Sequence, residues 1–413
     1  MPRFVGAFLL LSSFLPVLTS LSMSIPYWQL SSVYFFYFAI LGATNPYWGL
    51  YLQSLGFNAE QIGSLMALFI ATKLIAPNVW SYWADKSGRY ERVMQLGAVL
   101  TPICFVGVFW TDQFWFMVAV MALYSFFWNA ILPQYEVITL RALKGQEERY
   151  SQIRLWGSVG FILAVAGLGW WLDYAPVSTL PMAILVIMFA MAIVSFTVSG
   201  QMTVDRKSEQ KNNAEQGIMY WLLKPHIVCF LLAVLLMQAS HGPYYTFFSI
   251  FMEQYGYSRT VIGLLWALGV FAEVLLFLLM HKLLRWVKAE IILLVSLVLA
   301  SVRWWFIGLY PESFYVMLLL QCLHAATFGS FHAASIALIH RLFPARHSGQ
   351  GQAAYTSVGF GIGGALGAWG SGLIWQYFSA ETSFQVASVT SGIAALIFFL
   401  SLYTQRSAWA VAE

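Results

Sequence analysis

Apolar residues run along this chain in blocks of about twenty, each the length of a membrane-crossing helix, divided by short polar breaks. Twelve such blocks lie near 31–53, 61–83, 93–111, 114–138, 153–172, 178–199, 227–252, 260–281, 289–309, 313–339, 351–376 and 384–404. The runs are continuous, without the alternation of a membrane barrel strand. The pattern predicts an all-α membrane protein with twelve transmembrane helices.

The polar breaks repeat. Leu55-Gly56-Phe57-Asn58-Ala59-Glu60-Gln61-Ile62-Gly63 returns 200 residues later as Tyr255-Gly256-Tyr257-Ser258-Arg259-Thr260-Val261-Ile262-Gly263. Ten residues beyond the last glycine stand Lys73 in one copy and Glu273 in the other. Ser158-Val159-Gly160-Phe161 likewise returns as Ser357-Val358-Gly359-Phe360. Paired halves in an apolar chain indicate a transporter built from two repeats, with its substrate site between them. The expected organisation is a six-helix half over 23–199, a polar linker over 200–225, a second six-helix half over 226–406 and a tail over 407–413. Residues 1–22 form an apolar extension: Arg3 precedes a run from Phe4 to Leu21. It reads as a signal-like segment, a thirteenth span or a mis-assigned start before Met23, and the last is the simplest.

Composition excludes a soluble fold. The 413 residues are 60% hydrophobic and 9% charged, against roughly a quarter charged in soluble domains. Cys104, Cys229 and Cys322 all fall within apolar runs and read as packing residues. Sixteen Lys and Arg, among them Lys86, Arg89, Arg92, Arg141, Arg285, Arg341 and Arg406, fall in alternate breaks, while the other breaks hold only Arg259. That asymmetry puts the basic side in the cytoplasm of a cell whose inner membrane the chain crosses, with both ends of the twelve-span core inside. The net charge of +4 then reflects topology and not nucleic-acid binding.

Three cations remain inside the spans: Lys73, Arg154 and Arg303. Glu136 and Glu273 join them, with His324 and His332 nearby in sequence. An ionisable group within the membrane is costly and normally faces a partner or a watery cavity. Lys73 and Glu273 are central in their spans and predicted to face the cavity from opposite walls. Glu136 and Arg154 lie a turn or so inside the membrane, where snorkelling would also explain them. Arg303 is expected to pair with Glu273. His324 and His332, eight apart, share nearly one helix face.

Trp83-Ala84-Asp85-Lys86-Ser87-Gly88-Arg89 resembles the cytoplasmic gating signature of the major facilitator superfamily. Asp85, Gly88 and Arg89 match; Lys86 replaces an arginine, and Ser81 stands where a glycine would be. The resemblance implies the major facilitator fold, with Asp85 near a facing helix N-terminus and Arg89 pairing across the gate. Arg154-Leu155-Trp156-Gly157-Ser158-Val159-Gly160-Phe161 is similar to the fifth-span signature of the lactose permease group of proton symporters, and Glu136 precedes it at that group's spacing of 18 residues. The resemblance makes Glu136 and Arg154 substrate-binding and matches Glu273 to that group's substrate-side glutamate and Arg303 to its arginine in the ninth span; Glu273, Arg303 and His324 are expected to form the proton-coupling set. In the tenth span only His324 of that group's Lys-x-x-His-x-x-Glu survives, in Gln321-Cys322-Leu323-His324-Ala325-Ala326-Thr327. The absent glutamate is the group's proton carrier, so Glu273, Glu136 or His324 must take over. Gly269-Val270-Phe271-Ala272-Glu273 and Gly256-Tyr257-Ser258 resemble the 3-phenylpropionate permease branch, which is thought to import an aromatic carboxylate with a proton.

Three cations against two carboxylates leave one positive charge for an anionic substrate to balance. Trp156 and Trp266 stand close in sequence to Arg154 and Glu273 and could stack on a ring. The expectation is a secondary active transporter for proton-coupled uptake of an aromatic carboxylate by alternating access; the alternative is proton symport of a neutral sugar or nucleoside. No HExxH, GxSxG or phosphate loop occurs at a span end, so an enzyme is not expected. Nor is a cofactor or metal. The expected partners are a small solute, protons and the lipid bilayer, with the chain acting as a monomer.

Overall fold

A computed structural model describes residues 26–110, 112–143, 146–198, 217–406 and 409. The described chain is helical, with no strand among the described residues. Its long helices are α1 (Tyr27–Ser54), α2 (Ala59–Ser87), α3 (Tyr90–Trp110), α4 (Phe114–Ala142), α5 (Tyr150–Tyr174), α6 (Val177–Ser195), α7 (Pro225–Gln254), α8 (Arg259–Trp286), α9 (Ala289–Leu309), α10 (Phe314–Leu342), α11 (Ala345–Tyr377) and α12 (Ala380–Thr404). Eleven of them, α2 to α12, are both long and apolar enough to cross a membrane. The exception is α1, which has the length, at 28 residues, without the hydropathy. Its tyrosines explain this, because they are consumed inside its own half. Tyr47 donates to the Val165 carbonyl at 2.6 Å, and Tyr37 stacks on Trp128 at 4.1 Å. The extension over 1–22 lies outside the described residues, as do Lys144, residues 200–216 of the linker and most of the tail. Ile218–Leu222 is a short helix leading into α7.

The repeated turn residues have one job in each half. Gly56 and Gly256 adopt φ of 88° and 81°, a left-handed conformation that glycine takes without strain. Asn58 and Ser258 then cap the next helix: their side chains accept from the Gln61 and Val261 amides. The last repeated glycines serve the seam between halves. A Cβ on Gly63 would lie 2.8 Å from the Gly372 Cα of α11; one on Gly263 would lie 2.6 Å from the Val165 carbonyl of α5. The second echo works within each half. Gly160 of α5 abuts Phe35 of α1, and Gly359 of α11 abuts Val234 of α7.

The halves meet where α2 packs on α11, α5 on α8 and α1 on the far part of α7. Every described hydrogen bond between them lies on the Arg259 face, opposite the basic loops. Asp173 at the end of α5 accepts from the Arg259 and Thr260 amides at 2.7 and 3.1 Å and from the Thr260 hydroxyl at 2.5 Å. Arg259 also donates to the Leu172 carbonyl at 2.8 Å and pairs with Glu253 at 2.7 Å. The equivalent corner is latched by other chemistry: Gln376 of α11 accepts from the Ala59 amide at 3.2 Å, and Tyr377 donates to Glu60 at 3.0 Å. Toward the basic face no hydrogen bond or ion pair joins the halves among the described residues.

A carboxylate on the first-turn amides of a helix is worth about 1 kcal/mol, roughly a fivefold change in an equilibrium. Asp173→Ala should therefore loosen this seam. With Cys104, Cys229 and Cys322 replaced by serine, Ile62→Cys should react with maleimide from the Arg259 face several times faster when Asp173→Ala is added. Unchanged labelling would show that the latch does not hold the face shut.

Candidate functional site

Four helices of the second half converge on Arg303, which sits inside α9 with no accessible surface. Its Nε donates to the Leu320 carbonyl at 2.8 Å. One terminal nitrogen donates to His324 Nδ1 at 3.1 Å and Thr327 Oγ1 at 3.2 Å, and the other to Gln321 Oε1 at 3.2 Å. The rings of Tyr244 and Trp304 lie 4.5 Å from the guanidinium carbon, and Tyr244 also donates to Gln321 Oε1 at 2.9 Å. These hydrogen-bond acceptors are all neutral.

The expected direct pairing of Arg303 with Glu273 does not form; His324 stands between them. A guanidinium only donates, so His324 Nδ1 must accept and the ring proton belongs on Nε2. That Nε2 lies 3.8 Å from Glu273 Oε2, a charge-pairing distance beyond hydrogen-bond range. The imidazole thus aims its one N–H at the carboxylate while its other nitrogen rests on the cation. Thr327 occupies the position of the missing glutamate and takes an Arg303 proton with a neutral oxygen, so the negative charge of the cluster falls to Glu273. Gly329 makes room for it, since a Cβ there would lie 3.1 Å from Glu273 Cγ.

The first half presents charge differently. Lys73, at the middle of α2, is exposed in the structure. Its nearest described partner is the Phe69 ring, 5.9 Å away. Arg154 lies 3.9 Å over Phe38 and 5.5 Å from the Tyr34 ring. Gly157 creates that berth, for a Cβ there would come within 2.7 Å of both Arg154 and Phe38. Glu136 accepts from the Tyr150 hydroxyl at 3.3 Å. No ion pair forms at Lys73 or Arg154, or between Glu136 and Arg154, among the described residues.

The two sequence-selected indoles separate. Trp266 backs the Arg303 cluster: it is 3% exposed, donates to Ser249 at 3.1 Å and packs 4.5 Å from Tyr244. Trp156 instead donates to the Tyr27 hydroxyl at 3.0 Å and edges onto Trp28, so it is committed to the start of α1. The gating residues also differ from expectation. Asp85 takes a hydrogen bond from Tyr90, its own neighbour after the turn, and not from a facing helix N-terminus. Gly88 forms the left-handed end of α2 at φ 68°, and Arg89 makes no ion pair among the described residues. Neither Asp85 nor Arg89 bonds to the other half among the described residues. His241 escaped the sequence reading. At the break in α7 its Nδ1 donates to the Met237 carbonyl at 2.8 Å, while its buried Nε2 has no described partner. Its signal, a histidine inside an apolar run, was present.

A family model described as the MFS_1 like family matches residues 27–386. The chain is 31% identical over 358 residues to the "Probable 3-phenylpropionic acid transporter" of Escherichia coli (strain K12), covering 83% of this chain and 90% of that protein. It is 24% identical over 387 residues to the "Maltose permease" of Geobacillus stearothermophilus, covering 91% and 94%. Among solved structures it is similar to the nucleoside transporter NupG, with a TM-score of 0.80 at 16% identity over 91% of this chain and 98% of that one. A bacterial homologue of the human lysosomal transporter Spinster, inward-facing and unoccupied, gives a TM-score of 0.72 at 15% identity over 93% and 98%.

Removing the Arg303 fork takes a donor from three buried side-chain acceptors and leaves His324 Nδ1 with none, and a buried acceptor left unpaired costs about 1–3 kcal/mol. Arg303→Met should lower the thermal midpoint in detergent by several degrees, and Arg303→Lys, which keeps charge but not the fork, by less. An unchanged midpoint in Arg303→Met would show that the cluster does not organise these helices.

Proposed function

The chain belongs to the MFS_1 like family and is a secondary transporter, and we propose that it carries an aromatic carboxylate inward together with a proton. It is a membrane-spanning transporter and not an enzyme. The observation that carries the proposal is electrostatic: Lys73 and Arg154 have no carboxylate partner among the described residues, and both belong to helices that border the seam between halves. Unpaired cations in a poorly screened cavity favour an anionic cargo. The name of the 31% identical relative points the same way.

The charge count supports coupling. Lys73, Arg154 and Arg303 against Glu136 and ionised Glu273 give three minus two, a net +1 for the empty site. Protonating Glu273 and adding one carboxylate gives three minus one minus one, again +1. The empty and fully loaded sites therefore cross the low-dielectric barrier with equal charge, while each half-loaded site differs by one and is disfavoured. The proton would reside on Glu273, and His324 would answer its state. When Glu273 is ionised, the Nε2–H is attracted to it; when Glu273 is protonated, that attraction lapses. Opening and closing follow as rocking of the halves about this centre. The basic-loop asymmetry supports the inner membrane with both ends of the core in the cytoplasm, and nothing in the mechanism needs a second copy.

A second reading is a neutral polyol or nucleoside, favoured by the names of the maltose permease relative and the NupG neighbour. Glu136→Gln separates the two. A sugar or nucleoside carrier loses binding when a carboxylate acceptor of hydroxyl protons becomes an amide, whereas a carboxylate carrier keeps or tightens it.

In proteoliposomes, an inward proton gradient should drive accumulation of 3-phenylpropionate, and collapsing it should abolish accumulation. Glu273→Gln should lose accumulation yet retain counterflow exchange, since the amide mimics the protonated form. Accumulation by Glu273→Gln at the wild-type level would overturn that assignment. Lys73→Gln and Arg154→Gln should each raise KM for the acid about tenfold, the loss of some 1.4 kcal/mol of pairing, with little effect on thermal stability.

A further inference from the structure

The cargo's ring needs a receptacle, and α10 and α11 each carry a π-helical turn, over Ala325–Ser330 and Thr356–Gly363. Such turns are uncommon and concentrate at functional sites. Phe328 sits in the first and Phe360 in the second. Their rings meet edge to face at 6.0 Å and 86°. Tyr245 of α7 edges onto Phe328 at 6.5 Å, and His332 onto Phe360 at 6.0 Å. Unlike the sealed aromatics around Arg303, all four remain half-buried.

The neighbours of Phe360 fix its direction. Gly359 and Gly363 press against Val234 and Leu235 of α7, and Gly361 presses against Leu74 of α2. Ile362 is 40% exposed. Residues two apart on such a turn point to nearly opposite sides, so Phe360 turns away from Ile362 and packs against Phe328, His332 and Tyr355. Two cations lie on helices of the facing half. Lys73 precedes Leu74, which meets Gly361. Arg154 lies on α5, which packs against α8 across the seam, and the His332 ring edges onto Phe360.

We infer that Phe360 and Phe328 form the aryl-binding wall of the cavity, which selects a flat aromatic ring while Lys73 and Arg154 hold the carboxylate across the seam. This rests on the carboxylate reading above and adds which residues set specificity and how the cargo lies: acid toward the first half, ring toward the second. Offset and edge-to-face contacts reward a flat π face beyond its apolar area. A saturated ring of similar size gains only the area.

Competition by 3-phenylpropionate and by 3-cyclohexylpropionate against radiolabelled 3-phenylpropionate tests this on the full chain. The wild type should prefer the phenyl acid. Phe360→Leu should cut that preference about two- to tenfold by raising KM for the phenyl acid, with kcat and proton dependence near wild type. Phe360→Tyr should restore it. Ile362→Ala, on the same turn but its opposite side, should leave it unchanged. If Phe360→Leu does not fold, Phe328→Leu reads the same ratio at the other ring. A preference unchanged in Phe360→Leu or its substitute, with wild-type uptake intact, overturns this inference alone. Failure of the wild type to bind either acid overturns the carboxylate reading and the inference with it.

Discussion

A guanidinium with no accessible surface in the middle of a membrane protein needs acceptors for its N–H groups, and four of the five on Arg303 find them without a single direct anion. Leu320, Gln321, His324 and Thr327 supply oxygens and one imidazole nitrogen, and Tyr244 and Trp304 supply ring faces. The remaining charge is balanced one step away, through His324 to Glu273. This constraint draws α7, α8, α9 and α10 to one point. It also fixes the histidine tautomer, which turns the Nε2–H toward Glu273. A carboxylate at Thr327 would have neutralised Arg303 directly and relieved Glu273 of that duty.

The two halves share a scaffold but divide the chemistry. Gly56 with Gly256, Asn58 with Ser258 and Gly160 with Gly359 do equivalent work on both sides. The latches occupy equivalent corners, yet one is a carboxylate on helix amides and the other an amide plus a phenol. Charge diverges most. The second half encloses its cation in neutral acceptors; the first half leaves Lys73 and Arg154 against aromatic faces, with no carboxylate paired to either among the described residues.

Much of this was legible in the order of residues. The block expected over 289–309 is the helix Ala289–Leu309, and the remaining limits shift by a few residues as capping turns extend the apolar runs. Asn58 and Ser258 marked helix starts because short polar side chains at such turns satisfy free amides locally. The intramembrane charges marked where the buried polar cluster lies, since few residues stand in hydrocarbon without cause. What failed was pairing. Nearness in sequence suggested Trp156 beside Arg154, but a helix carries side chains two apart to opposite sides, and the indole went to Tyr27. Opposite sign suggested Arg303 with Glu273, but reach and rotamer put His324 between them.

The sequence by itself determined that the chain crosses a membrane in paired six-helix halves, because hydropathy, turn chemistry and the 200-residue repeat are local properties that each stretch carries with it. It also determined which residues would be expensive to bury. Only the tertiary structure decided how that expense is met: Arg303 by a neutral cage, Glu273 through an imidazole, Lys73 and Arg154 by no carboxylate among the described residues. Hydrogen-bond partners and tautomers depend on helices brought together from distant parts of the chain, and no periodicity along one helix encodes the face of another.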